Sequence, residues 1–345
     1  MNQKEHPKEN NSNGNILKDY LFSQNVIKDS YSYYEIDNSF IVFKSINNIL
    51  YLIYANKKFS IISYNLIDIK KINEIKNAHN IYITNFRHYL DNKNKKDLII
   101  SISSEDNNIK LWDISNWELL HNFENINKCG ELYSAHFIND NNKNYIITSN
   151  SNLFDTEPLK IFDFNGNKIK EINDSSFNTF FIDIYYDKKT DIIYIITGNY
   201  GYAQSYDYKK NKCYIKYKDE YFICKKKEFN HIIIYDTASV IKLITSNYDG
   251  NIRIWDFHSG KLLIKYKICN TNLRGICLWN EEYLYVGCGD KEIKLIEIKN
   301  GKIIHCLKGH FRDVLNIKKI NHPKYGQCLI SKGLFSDYMI LWNKI

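Results

Sequence analysis

The stretch 246–260 constrains the fold of this 345-residue chain more than any other feature, because its pattern returns along almost the whole length. Asp249-Gly250 is a hairpin signal, since both residues tolerate the positive φ that a tight turn needs. Ile252, Ile254 and Phe257 then mark an apolar strand carrying Trp255 and Asp256, and Ser259-Gly260 turns the chain again into 262–268. The same strand recurs at Tyr64-Asn65, Trp112-Asp113, Phe162-Asp163, Tyr206-Asp207, Ile296-Glu297 and Trp342-Asn343. Seven copies result, spaced by about 41 to 50 residues, which is the signature of an array of similar supersecondary units.

With these copies, the chain over about residues 36–345 resembles the WD40-repeat family, whose four-stranded units run roughly 40 to 45 residues. The copies nearest the family pattern are 103–113, ending in Trp112-Asp113, and 246–260. A Gly-His dipeptide usually precedes the innermost strand of a repeat; Gly309-His310 and Ala78-His79 stand at corresponding distances before Trp342 and Trp112. Asp106, Asp249 and Asp290 each lie six residues before their strand's anchor, where the family keeps a turn aspartate. Lys58, Thr156 and Tyr200 stand there in three other copies, and the last has Ser336 followed by Asp337. The resemblance implies an all-β, seven-bladed propeller in which His79 and His310 bond within their blades to a strand serine and the turn acid. Ser101 or Ser103 with Asp106 would serve His79, and Ser331 would serve His310.

The last blade has three strands of its own, ending with the Trp342 strand. An unpaired sheet edge invites aggregation, so a segment of 16–36 is expected to add the fourth strand and close the ring. Residues 1–15 are polar, Asn-rich and without periodicity, and are expected to be a disordered tail preceding a single propeller over 16–345.

Composition adds exclusions. The formal net charge is +8, but lysines are scattered through every repeat, arginine occurs only at 87, 253, 274 and 312, and the one compact basic run is Lys225-Lys226-Lys227. The eight cysteines include no C-x-x-C pair, and several fall on expected strands, which suggests a reducing compartment. No apolar run approaches the roughly 18 residues needed to span a bilayer, and the first residues hold no signal-type apolar segment. The expectation is a soluble intracellular protein, cytoplasmic or nuclear.

No motif carries chemistry. Cys288 lies between Gly287 and Gly289, but Glu292 stands where G-x-G-x-x-G needs its third glycine, so a nucleotide loop is unsupported. His305-Cys306 has no second ligand pair at zinc spacing. Neither catalytic residues, a metal site nor a cofactor are expected, and Trp112, Trp255 and Trp342 are read as wedges between sheets.

What remains is the loop face. The loops entering and crossing the blades hold Phe311, Arg312, Leu273, Arg274, Tyr248, Tyr200, Tyr202, Phe154 and Phe335. Aromatic and arginine side chains dominate binding energy at protein interfaces, so this face is the candidate site for a protein or peptide partner within a larger assembly. Arg274 and Arg312 either form a forked cluster for a carboxylate or phosphate, or pair with acids such as Asp290 and Asp313. A propeller that binds nucleic acid or an acidic surface through Lys225 to Lys227 is the alternative.

Overall fold

The computed structural model describes residues 22–28, 40–124, 131–151, 159–172, 179–199, 201–219, 229–237, 239–335 and 338–344. They form 28 strands in seven four-stranded antiparallel sheets, each sheet one blade of a propeller. The expected N-terminal partner is β1 (Phe22–Lys28). Blade one is β2 (Phe40–Lys44), β3 (Leu50–Ala55), β4 (Ile61–Asn65) and β5 (Lys70–Ile75). Blade two is β6 (Ile83–Asp91), β7 (Lys96–Ser103), β8 (Asn108–Asp113) and β9 (Glu118–Phe123). Blade three is β10 (Glu131–Asp140), β11 (Lys143–Ser151), β12 (Leu159–Asp163) and β13 (Lys168–Ile172). Blade four is β14 (Phe181–Asp187), β15 (Ile192–Asn199), β16 (Tyr202–Asp207) and β17 (Lys212–Tyr217). Blade five is β18 (Phe229–Asp236), β19 (Ile241–Asn247), β20 (Asn251–Asp256) and β21 (Leu262–Lys267). Blade six is β22 (Leu273–Leu278), β23 (Tyr283–Cys288), β24 (Glu292–Glu297) and β25 (Ile303–Lys308). Blade seven is β26 (Val314–His322), β27 (Gly326–Gly333) and β28 (Tyr338–Lys344), with β1 as its outer strand.

Closure is continuous over seven residue pairs, from Phe22 opposite Lys344 to Lys28 opposite Tyr338. Ile27 is buried at the seam, packed with Phe40, Leu52 and Tyr54 of blade one and Ile330, Met339 and Leu341 of blade seven. The ring is therefore sealed by side chains as well as by the strand ladder, and the edge of β28 is covered by β1.

The repeated sequence pattern has a geometric counterpart. In the first six blades the turn after the third strand holds a residue with positive φ: Ile69, Trp117, Gly166, Asn211, Gly260 and Gly301. In the same six blades the register between the third and fourth strands shifts at the anchor residue itself, at Tyr64, Trp112, Phe162, Tyr206, Trp255 and Ile296. A left-handed turn residue followed by a bulge is a common way to close a short hairpin, and the bulge adds local twist. Blade seven lacks both features, because β1 arrives from elsewhere in the chain and no hairpin has to be accommodated.

The anchors pack between sheets. Trp112 lies among Ile41, Tyr51 and Ile53 of blade one, Trp255 among Phe181, Tyr194 and Tyr217 of blade four, and Trp342 among Tyr285, Leu295 and Leu307 of blade six. Each indole thus faces the blade before its own, and burying ~150 to 250 Å² of such a ring makes it a principal adhesive between neighbours. Gly275 on β22 allows a close approach of the inner strands β22 and β26: a Cβ there would sit 2.9 Å from both Asn316 Cα and Leu315 O.

Candidate functional site

The loop face is built on two hydrogen-bond networks that hold the connections in place. In blade two, His79 Nε2 lies 2.7 Å from Ser101 Oγ, Trp112 Nε1 donates to the same oxygen at 2.9 Å, and His79 Nδ1 stands 4.0 Å from Asp106 Oδ2. Blade seven repeats the arrangement, with His310 Nε2 and Trp342 Nε1 each 2.7 Å from Ser331 Oγ. Ser336 and Asp337, the residues in the position of the turn acid there, lie outside the described residues. Burial pushes His79 down to about 3, with Lys110 adding to the effect, and burial likewise pushes His310 down to about 4. Both imidazoles are neutral at physiological pH and are committed to their blades.

Blade five fills the same place with different chemistry. Trp255 Nε1 donates to Thr245 Oγ1 at 3.2 Å, and Asp249 is gripped by Arg253 through Nη1 at 3.1 Å and Nη2 at 2.7 Å. Arg253 is 1% exposed, and its Nε donates at 2.9 Å to Asp219, which also receives Lys265 Nζ at 2.8 Å. A fork of this kind satisfies the carboxylate and locks the turn. Asp219 belongs to the segment between blades four and five, where the sequence shows no pattern, so its role was not readable beforehand. In blade six Asp290 pairs with Lys294 Nζ at 2.5 Å.

The exposed candidates are fewer than the sequence suggests. Phe311 is 78% exposed and Phe335 51%, and Arg312 is exposed beside Phe311. Phe311 follows His310 directly; its backbone N–H donates to Tyr338 Oη at 3.1 Å, and the two rings meet edge to face at 6.2 Å. Tyr248 and Tyr202 are half-buried, and Lys216 Nζ sits 3.6 Å over the Tyr202 ring. Leu273 is fully buried in the core with Ile276 and Val286, so it offers no surface to a partner. Its position as the first residue of β22, not the last of a loop, turns it inward. Arg274 is 3% exposed and reaches Asp313 at 3.6 Å, and with its carboxamide oxygen toward the guanidinium, Asn272 accepts from Nε at 3.1 Å and Nη2 at 2.8 Å. Arg274 therefore ties blade six to blade seven and presents no open fork alongside Arg312. Tyr200, Phe154 and the run Lys225 to Lys227 lie outside the described residues, as does the tail 1–15.

The central channel is a second concavity, about 550 Å³, bounded by the inner strands of all seven blades. Its polar lining is already engaged. His231 Nδ1 accepts from Ile276 N–H at 2.9 Å, Arg87 donates to Asn85 Oδ1 at 2.8 Å and Ile182 O at 3.2 Å, and Lys319 donates to Trp279 O at 2.5 Å. His136, 3.5 Å from Asp183, is pushed down to about 4 by burial and by Arg87. Each of these contacts ties lining side chains to neighbouring groups, so such a wall stiffens the ring.

Seven four-stranded blades and a ring closed by an N-terminal strand make this chain a seven-bladed β-propeller, and the His-Ser-Trp networks at its loop face resemble those of WD40 repeats. No protein-family model matches the chain. It is similar to the U3 small nucleolar RNA-associated protein 21 homolog of Schizosaccharomyces pombe, at 28% identity over 68 residues. The match covers 20% of this chain and 8% of that protein. Among the described residues no helix is long and apolar enough to cross a membrane.

Proposed function

We propose that this propeller is a non-enzymatic recognition subunit that holds a protein partner on the loop face of blade seven, with Phe311, Phe335 and Arg312 as its contacts. The observation that carries this reading is the display of Phe311: a large aromatic ring stands 78% exposed while its own backbone is fastened to Tyr338. A rigidly held aromatic loses little freedom on binding, which is why such residues act as anchors. The similar fission-yeast protein is named for association with a small nucleolar RNA. That supports membership of a nuclear ribonucleoprotein-type assembly and favours retaining RNA contact through the lysines as a second reading.

The test is affinity purification of the full chain beside Phe311→Ala with Phe335→Ala and beside Lys225 to Lys227→Ala, at low and high salt. Truncating an interface anchor costs about 1 to 4 kcal/mol, enough to lose a partner at working concentrations. The reading requires that the aromatic variant, with an unchanged melting profile, lose partners retained by the parent at high salt. Retention by that variant together with salt-sensitive RNA recovery that the lysine variant loses would replace it with the electrostatic reading, since phosphate contacts release counterions.

A further inference from the structure

Blade six departs from its neighbours in a consistent way. Cys269 stands four residues before the first residue of β22, as His79 does before β6 and His310 before β26. Cys288 pairs with Leu273 as Ser103 pairs with Ile83, and Asp290 precedes Ile296 by the interval that separates Asp106 from Trp112. The place that a histidine, a serine and an aspartate occupy in blade two thus holds two thiols and an aspartate. The two sulfurs and a carboxylate oxygen of Asp290 all lie within 4.8 Å of one another, a group found nowhere else among the described residues.

The surroundings favour thiol chemistry over a metal. Asp290 already receives Lys294 at 2.5 Å, so the carboxylate is neutralised and an ammonium stands beside the sulfurs. Cys269 lines an open cavity of about 400 Å³ with Lys267, Thr271, Asp290 and Lys294, and its Sγ is 3.3 Å from Thr271 Oγ1. A hydrogen bond from Cys288 is the largest influence pulling Cys269 down to about 6, while Cys288 is pushed up. Cys288 is fully buried and Cys269 is 9% exposed, so the pair meets the cavity at Cys269. Gly289 N–H donates to Asn272 O at 2.8 Å, and a Cβ on Gly289 would lie 1.8 Å from the Asn272 carboxamide. The two cysteine-bearing segments are therefore already fastened at close range. Reactive cysteines characteristically combine an electropositive setting, access and an adjacent resolving thiol.

We propose that Cys269 and Cys288 form an oxidisable pair, with Cys269 oxidised by a hydroperoxide and Cys288 resolving it to a disulfide that fastens the β21–β22 loop to the end of β23. The Cys269 thiolate attacks one peroxide oxygen; the O–O bond breaks, and the departing alkoxide or hydroxide takes a proton from water. Cys288 sulfur then attacks the sulfenic sulfur, the S–O bond breaks, and hydroxide leaves with the thiol proton as water. The pair loses two electrons, and the peroxide is reduced to an alcohol and water, or to two waters when it is hydrogen peroxide.

The experiment is stoichiometric hydrogen peroxide on the reduced full chain, followed by peptide mass spectrometry without reductant. A linked Cys269–Cys288 peptide is expected; Cys288→Ser should accumulate a dimedone adduct on Cys269, and Cys269→Ser should give neither. In the unaltered chain, iodoacetamide at pH 7 should label Cys269 on the order of tenfold or more faster than Cys277, whose thiol burial pushes up to about 11. This footprint needs no variant, so it decides the matter even if a substitution impairs folding. Independent oxidation of the cysteines with no linked peptide overturns the proposal. So does zinc retained at one equivalent that shields both thiols until chelated.

Discussion

Ile27→Ala tests ring closure at its seam. Ile27 is 3% exposed and wedged between blades one and seven, on the strand whose pairing with β28 completes blade seven. The substitution removes three carbons, worth about 2.4 kcal/mol at ~0.8 kcal/mol per buried methylene. The incompletely relaxed cavity adds to this, so the total should fall at about 3 kcal/mol, within the ~2 to 5 kcal/mol range of such truncations. Urea unfolding followed by tryptophan fluorescence measures it as a lower midpoint at unchanged slope. Ile169→Ala is the control: Ile169 is 51% exposed on an outer strand, and its loss should stay within about 0.5 kcal/mol. If Ile27→Ala behaves like Ile169→Ala, the N-terminal strand does not close this ring in solution.

Ser101→Ala removes the oxygen shared by His79 and Trp112 and should cost about 2 to 3 kcal/mol in the same assay, because two buried donors or acceptors lose their partner at once. Arg253→Met strands Asp219 and Asp249 and should cost about 3 kcal/mol or more, softened by Lys265 remaining on Asp219. His79 and His310 hold folded-state values of about 3 and about 4 against 6.5 unfolded. The unfolded chain therefore binds more protons below pH 6.5, and stability should be complete above that pH and fall steadily toward pH 4; a flat urea midpoint across this window would contradict neutral buried imidazoles. Ile69 is a β-branched residue held at φ 51°, so Ile69→Asn should raise stability by about 0.5 to 1 kcal/mol, read as a higher midpoint.

The propeller was legible because its unit repeats: each anchor stands at the end of a hairpin whose turn residues and apolar alternation recur, so errors in one copy are corrected by the others. Closure was legible from a deficit, the missing outer strand of blade seven. The His79 and His310 networks followed from residues at matching intervals. What escaped was set by packing across long separations. Asp219 meets Arg253 across 34 residues of sequence, a contact that no repeated pattern announces. Leu273 and Arg274 read as loop residues, yet the register shift between Leu273 and Ile276 draws both into the interior. Phe311 and Phe335 stay outside because the connections that carry them are anchored by neighbours, His310 and Tyr338, rather than by their own side chains.

The pairing of β1 with β28 also sets how the ring answers to force. Phe22 lies opposite Lys344, so the chain enters and leaves blade seven at the same end of two antiparallel strands. Tension applied through the segments before Phe22 and after Lys344 loads the ladder one rung at a time, as in opening a zipper, instead of shearing all its bonds together. The seam that holds the circle shut is thus its mechanically weakest line. A tether attached at both points would open blade seven first and leave the other six sheets stacked as an arc.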